Sequence, residues 1–406
     1  MSESFDVAVI GGGIVGLGVG REITRRFPRL RLVALEKETR VGSHQSGHNS
    51  GVIHSGVYYK PGSLKAKLCV TGATAMVEFC HEHGVPFAIC GKVIVATSTA
   101  QLLRLQELME RGTANGVAGL RMLGPEELHE FEPHASGVAA LLVPGTGVTD
   151  YAKVCEKYAE LIGAQGGEVR TSTEVVGIRA GESETVIETS GGAIAARAVI
   201  NCAGLFSDRI ARMAGERPEV QIVPFRGEYY DLVPERAELV RALIYPVPDP
   251  RFPFLGVHFT RRVHGTVDAG PNAIFAFKRE GYRSGDFSLR DTVESLVFPG
   301  FWRVAAKHWR MGKDEAARSV SKAAFVAGLQ KLVPDVRAED LVPGGSGVRA
   351  QAIHRSGTLV DDFQFTQTKN MLHLFNVPSP AATASIAIGQ AVVEMFSSLQ
   401  SLVGSR

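Results

Sequence analysis

The spacing of apolar residues changes period several times along the chain. Residues 5–10 are a short apolar run that breaks into Gly11-Gly12-Gly13-Ile14-Val15-Gly16. A helical stretch follows to about Phe27, where Pro28 stops it, and residues 30–35 form a second apolar run closed by Glu36. That order predicts strand, glycine turn, helix, strand. Residues 41–63, rich in Gly, Ser and His, read as a long loop, and helical periodicity resumes over 64–83, 100–111 and 125–130. Asp150 is placed to cap a helix running to Gln165, with a strand over 168–175 behind it. Turns near Gly181 and Gly191 then lead into the apolar strand 198–202. Segments 228–232, 254–259 and 273–277 alternate between Pro and Gly breaks and predict antiparallel sheet. Helical signals dominate 298–332, residues 343–355 read as turn-rich, 371–376 as a strand and 384–398 as a closing helix. The two ends of the chain read as one α/β unit and the middle as a second unit. The expected division is 1–80, 150–220 and 340–406 against 81–149 and 221–339.

Composition narrows the class. The chain has 406 residues, 45% hydrophobic and 21% charged, enough for two packed domains. A net charge of +2 argues against a nucleic-acid binder. Glycine is in excess, 45 residues or about 11%, which suggests tight turns and close approach of backbone to a ligand. The five cysteines are scattered, without a CxxC pair, so neither a disulfide framework nor a zinc site is indicated. They fit a reducing compartment. With no basic leader before the first strand, a cytoplasmic protein is expected. No run of 18 apolar residues reads as a membrane span.

Gly11, Gly13 and Gly16 form G-x-G-x-x-G between a strand and a helix. The first glycine turns the chain, the second lets backbone approach a pyrophosphate, and the third permits close helix–strand packing. The helix N-terminus adds amide donors for the phosphates. Glu36, at the end of the second strand, is where a carboxylate accepts the hydroxyls of an adenosine ribose. A bound dinucleotide follows, on a Rossmann-like domain with a parallel sheet. Two later features favour FAD over NAD. Residues 198–204 (AVINCAG), followed by Ser207-Asp208, resemble the second signature of two-dinucleotide-binding flavoproteins. Pro378-Ser379-Pro380-Ala381-Ala382-Thr383 precedes an apolar helix, whose positive end suits the pyrimidine side of a reduced flavin.

The residues now resemble a known family, the L-2-hydroxyglutarate dehydrogenase/oxidase family within the D-amino-acid-oxidase-like FAD superfamily. The resemblance covers essentially the whole length. It is most specific over 44–65 (HQSGHNSGVIHSGVYYKPGSLK) and 346–351 (SGVRAQ), with further matches at 224–229 (PFRGEY), 254–260 (FLGVHFT) and 270–273 (GPNA). It implies oxidation of L-2-hydroxyglutarate to 2-oxoglutarate, with FAD reduced and the electrons passed to a quinone, another membrane-chain carrier or oxygen. The expected FAD-holding residues are Gly11, Gly13, Ile14, Val15, Gly16, Glu36 and Lys37, then Ser43, Ser46, Asn49, Ser50 and Gly51 of the loop. Val175, Ala203, Gly204, Ser379, Pro380, Ala381, Ala382 and Thr383 complete the set.

Oxidising a 2-hydroxy acid requires loss of a hydride from carbon and of a proton from the hydroxyl. With a flavin taking the hydride, the protein supplies position, charge and a base. Histidine titrates near neutrality. Of twelve histidines, His54 lies in the loop that the resemblance puts against the flavin, and His258 lies between Val257 and Phe259 in the second unit. Either could be the base, with a slight preference for His258. An arginine is expected for a substrate carboxylate, since its planar fork pairs with one bidentately. Arg349 is the first candidate, and Arg226, Arg261, Tyr58, Tyr59 and Lys60 are candidates for a second carboxylate. His44 and His48 lack the third ligand a zinc site needs, so no metal is expected. Residues 298–318 interleave Phe298, Phe301, Trp302 and Trp309 with Arg303, Lys307, Arg310 and Lys313. Two readings stand: an amphipathic helix in a membrane interface, with a quinone as acceptor, or aromatics packed on the core with cations facing water. An amine or amino-acid oxidase and a non-catalytic flavin-binding protein are the competing functions.

Overall fold

Residues 3–249 and 255–396 are described in the computed structural model. Phe254 of the expected segment 254–259, the last two residues of the expected closing helix 384–398 and the rest of 397–406 lie outside them.

The expected βαβ unit is present as strand Glu3–Ile10, helix Ile14–Arg26 and strand Leu32–Leu35. In the first strand Val7 and Val9 point to one layer of core and Ala8 and Ile10 to another, so both faces are covered, as parallel sheets require. Its parallel neighbours are Gly192–Asn201 and Leu32–Leu35, the latter pairing in turn with Glu168–Arg170. Gly192–Asn201 also takes up Met371–Asn376 in parallel, so a strand from near the far end of the chain completes this eight-stranded sheet. The last helix, Ser385–Met395, packs beside the first.

The second sheet has nine strands, among them Lys92–Ala96, Ala139–Val143, Val220–Leu232, Leu243–Pro246, His258–Arg261 and Val267–Gly270. It is antiparallel except where Lys92–Ala96 runs parallel to Leu243–Pro246. Val93, Val95, Ile244 and Phe259 face the helix Lys322–Leu329 and form this unit's core. On the opposite face Ile94, Ala96, Leu141 and Val143 pack on Leu105 and Leu108 of the helix Leu102–Ala114, while Gly227, Tyr229 and residues 347–351 of the sheet line a cavity.

The fold is therefore α/β, as expected, but the turn-rich reading of 343–355 is wrong. Leu341–His354 is a fourteen-residue strand, and it pairs along its length with Val220–Leu232 in the second sheet. Two of its three glycines stand at points of close approach. A Cβ at Gly344 would lie 2.6 Å from Asp231 Oδ1, and one at Gly347 would lie 2.6 Å from the carbonyl oxygen of His48. The part of 340–406 assigned to the nucleotide unit thus opens with a strand of the other sheet.

Candidate active site

Gly11 has φ +113°, and a side chain there would run into the Cys202 carbonyl at 2.5 Å. Gly16 touches the turn itself, because its Cβ would lie 2.0 Å from the carbonyl oxygen of Gly11. These two contacts make the glycine turn tight and leave Gly13 as the N-cap of the first helix. Glu36 is fixed from two sides. The Gly12 N–H donates to its Oε2 at 2.9 Å and the Glu38 N–H to its Oε1 at 2.9 Å. Ser46 Oγ accepts the Ile14 N–H at 2.9 Å, binding the loop to the helix start.

A cavity of about 530 Å³ runs from Glu36 and Lys37 at one end to Pro378–Thr383 at the other. All the residues expected to hold FAD line it except Gly16 and Gly51. Gly16 serves the turn, and Gly51, at φ +72°, sits against the Thr149 carbonyl. The residues present fit FAD: a turn that only glycine can make, a carboxylate preset by two amides, and a helix N-terminus facing the cavity. At the far end the Thr383 hydroxyl meets the His54 N–H at 3.1 Å, the Tyr151 hydroxyl at 2.9 Å and the Val52 carbonyl at 3.2 Å. One side chain thereby ties the loop carrying His54 to the start of the last helix.

His54 and Arg349 come together on the wall of this cavity, with Tyr229 and Lys65 beside them. His54 Nε2 is 3.2 Å from Ser379 Oγ, and its Nδ1 is buried without a hydrogen-bond partner among the described residues. Burial first, then the positive charges of Lys92, His258 and Arg349, push His54 down to about 3. His258 lies one layer behind the wall, its Nδ1 2.9 Å from the Gly256 carbonyl and its ring against Tyr245. A carbonyl accepts only, so Nδ1 carries the proton and Nε2 the lone pair. Burial, with Arg349 and Lys92, lowers this imidazole to about 3 as well. At neutral pH both rings are uncharged.

The other expected carboxylate ligands do not reach the wall. Arg226 is buried, with its fork on Glu228 at 2.8 and 3.2 Å and on the Arg283 carbonyl at 2.9 Å. Arg261 donates to the carbonyls of Ala237 and Val240. Tyr58 and Tyr59 sit behind the lining, and Lys60 is exposed. Sequence reasoning passed over Lys65 and Tyr229 at the wall and Lys92 and Tyr245 behind it. Lys65 stands inside the quoted SLK segment, which was the available signal. Lys92 opens the apolar run KVIVA, where a lysine looks like a strand end. His44 does meet acids, Glu38 at 3.0 Å and Glu280 at 2.8 Å, but Lys37 Nζ lies 2.6 Å from Glu280 and 2.9 Å from Glu38. That cluster is an ion-pair clasp with its own cation.

The family model for FAD dependent oxidoreductases matches residues 6–395. The chain is 51% identical over 391 residues to the L-2-hydroxyglutarate dehydrogenase of Indibacter alkaliphilus, covering 96% of this chain and 98% of that one. This chain belongs to the L-2-hydroxyglutarate dehydrogenase family of FAD-dependent oxidoreductases. Members of the family reach across kingdoms: the human mitochondrial protein is 45% identical, over 97% of this chain and 89% of its own length. The fold matches the FAD-bound L-α-glycerophosphate oxidase of Mycoplasma pneumoniae with TM-score 0.81 and 21% identity, over 98% of this chain and 95% of that one. The cofactor of this family member is FAD.

Proposed function

We propose that the protein oxidises L-2-hydroxyglutarate to 2-oxoglutarate. The observation that carries this reading is the meeting of His54 and Arg349 on the wall of the FAD cavity, in a chain 51% identical to a protein of that name. Bound FAD supplies the hydride acceptor. Arg349 holds the carboxylate next to the reacting carbon, which fixes which face of the hydroxy acid is presented. His54 takes the hydroxyl proton. Its lone pair is available because burial and the nearby cations keep the ring neutral, and a bound dicarboxylate offsets those cations, making the ring more basic when the proton must move. The slight preference for His258 is thus reversed: being one layer back, it serves better as a neutral prop beside Tyr245.

Anaerobic addition of L-2-hydroxyglutarate to the yellow holoprotein is expected to bleach the flavin band, while the D-enantiomer and L-amino acids leave it unchanged. Bleaching by amino acids alone would assign the amine-oxidase chemistry instead, and a flavin that none of them reduces would leave a binding protein. Arg349→Ala should raise the half-saturating substrate concentration about 10- to 100-fold. An unchanged value would end the carboxylate role.

The acceptor is proposed to be a membrane quinone. No helix among the described residues is long and apolar enough to cross a membrane. Along helix Pro299–Val320, however, Trp302 and Trp309 are 57% and 60% exposed, so the two tryptophans are not packed on the core. Phe287, Leu289 and Val297 are exposed on neighbouring segments. Aromatics facing outward beside Lys and Arg suit a lipid interface. Trp302→Ser/Trp309→Ser should abolish sedimentation with anionic vesicles while leaving anaerobic flavin reduction intact. Equal sedimentation of both proteins would remove the membrane contact.

A further inference from the structure

Asn201 and His373 are register partners on the parallel strands Gly192–Asn201 and Met371–Asn376. Strand alternation decides where the histidine points. Leu372 and Leu374 face the core under the first and last helices, whereas Met371 and Phe375 face the other way, against Ile210 and Ala211 of the helix Ser207–Met213. His373 shares that second face. It is wholly buried in an apolar layer, with its ring stacked on Phe375 at 5.6 Å. On packing alone an apolar side chain would suit the place better, because a buried polar ring costs free energy unless its hydrogen bonds are made.

The bonds show what the ring does. Asn201 Nδ2 donates to the Ser207 carbonyl at 2.8 Å, and Asn201 Oδ1 accepts the Ala203 N–H at 3.2 Å. These two backbone groups fix the orientation of the amide, since a flipped one would set donor against donor and acceptor against acceptor. The remaining Nδ2 proton goes to His373 Nδ1, 3.0 Å away. Nδ1 must therefore offer its lone pair, and the ring proton sits on Nε2, which has no partner among the described residues. Burial lowers this imidazole to about 4, so the lone pair is free at neutral pH. The turn that Asn201 spans faces the cofactor site: Ala203, Gly204, Leu205 and Phe206 all line the FAD cavity. It is also fitted closely to the other nucleotide elements. The Cys202 N–H donates to the Ile10 carbonyl at 2.9 Å, the Cys202 carbonyl abuts Gly11, and a Cβ at Gly204 would lie 2.9 Å from Gln45 Oε1. With contacts this close, the turn cannot move without disturbing the glycine turn on one side or the loop on the other.

We propose that His373 is a positioning residue for FAD: its Nδ1 lone pair holds the Asn201 amide, and through it the turn from Cys202 to Phe206, in the place the dinucleotide needs. Neither His373 nor Asn201 lines the cavity, so the histidine acts at one remove, through the amide and the turn. The assignment depends on the cofactor alone and holds whichever substrate the enzyme oxidises.

Two amide side chains separate this role from packing. Asparagine places its Oδ1 where histidine has Nδ1, whereas glutamine reaches toward the position of Nε2 and replaces more of the ring's volume. FAD affinity is read by fluorescence as flavin-free protein is reconstituted, and urea unfolding of the same flavin-free proteins reads the structural effect. His373→Asn should bind FAD within about threefold of the native protein, and His373→Gln about 10- to 100-fold more weakly, because the Asn201 donor is left buried and unpaired. One variant gives up volume and the other the acceptor, so their urea midpoints without flavin should lie close together. FAD affinity kept by His373→Gln, or lost equally in both variants, overturns the proposal. So does a difference in affinity that merely follows the urea midpoints. Should His373→Gln not fold, His373→Asn decides alone: affinity within about threefold of native supports the proposal, and a larger loss overturns it.

Discussion

Glu36 is held by the amides of Gly12 and Glu38 before any ribose reaches it, so its carboxylate needs no reorganisation on binding. Glu36→Ala removes a preset acceptor and frees the Gly12 amide in the glycine turn. FAD affinity should fall about 10- to 100-fold, measured by fluorescence on reconstituting flavin-free protein. A loss below twofold would mean that the pyrophosphate contacts carry the binding. Residues of this kind were legible in the sequence because each has a steric or acceptor duty at a fixed place in the motif. Arg226 was not, because nothing in PFRGEY announces that Glu228, two residues on, occupies the guanidinium. An arginine's charge can be read from sequence, but its partner is a tertiary fact.

At the scale of elements, the strand Leu341–His354 is not legible in the sequence for a related reason. Gly344, Gly345 and Gly347 are turn residues by local propensity, yet here Gly344 and Gly347 let a long strand press against Asp231 and the His48 carbonyl. The βαβ unit and the helix Leu64–His83 were legible because their apolar periods serve a nearby core. Gly347→Ala should displace the loop at His48 and weaken FAD retention on gel filtration, whereas full retention would show that the loop can yield. The clasp between Lys37, Glu38 and His44 on one side and Glu280 on the other is an element-level device too. Burial disfavours the charged ring of His44, but the carboxylates of Glu280 and Glu38 outweigh it and raise its pKa above the ordinary histidine value. A raised folded-state pKa means that the stabilisation is fully present below about pH 6.5 and is lost as pH rises through the folded value. The native protein should therefore lose more stability than His44→Gln on going from pH 6 to pH 9, measured by urea unfolding. Parallel profiles would count against the clasp.

Across the whole molecule, the two units are joined by buried charge as well as by apolar contact. Arg279 is almost fully buried and pairs with Asp208, which lies just past the 198–204 signature, and with Glu294 at 3.3 Å. Arg209 reaches Asp291 and Glu294 from the same helix as Asp208. Arg279→Met leaves the buried Asp208 carboxylate with the half-exposed Arg212 and the Ile222 N–H as its partners among the described residues, and should cost about 3–5 kcal/mol in urea unfolding. Adding Asp208→Asn should recover part of that loss. A single-variant cost under about 1 kcal/mol would make the network dispensable.

The sheet that cradles the nucleotide draws on strands far apart in sequence: Glu3–Ile10 is synthesised more than three hundred residues before Met371–Asn376, and both flank Gly192–Asn201. Helix Ile14–Arg26 likewise waits for Ser385–Met395 to cover it. During translation the strand Gly192–Asn201 must persist with one edge uncovered, and the helix Ile14–Arg26 with one flank, until these later segments are made, the kind of exposure that recruits chaperones. Flavin capture therefore waits for these segments, and a nascent chain stalled before Met371 is made should stay colourless however much FAD surrounds it.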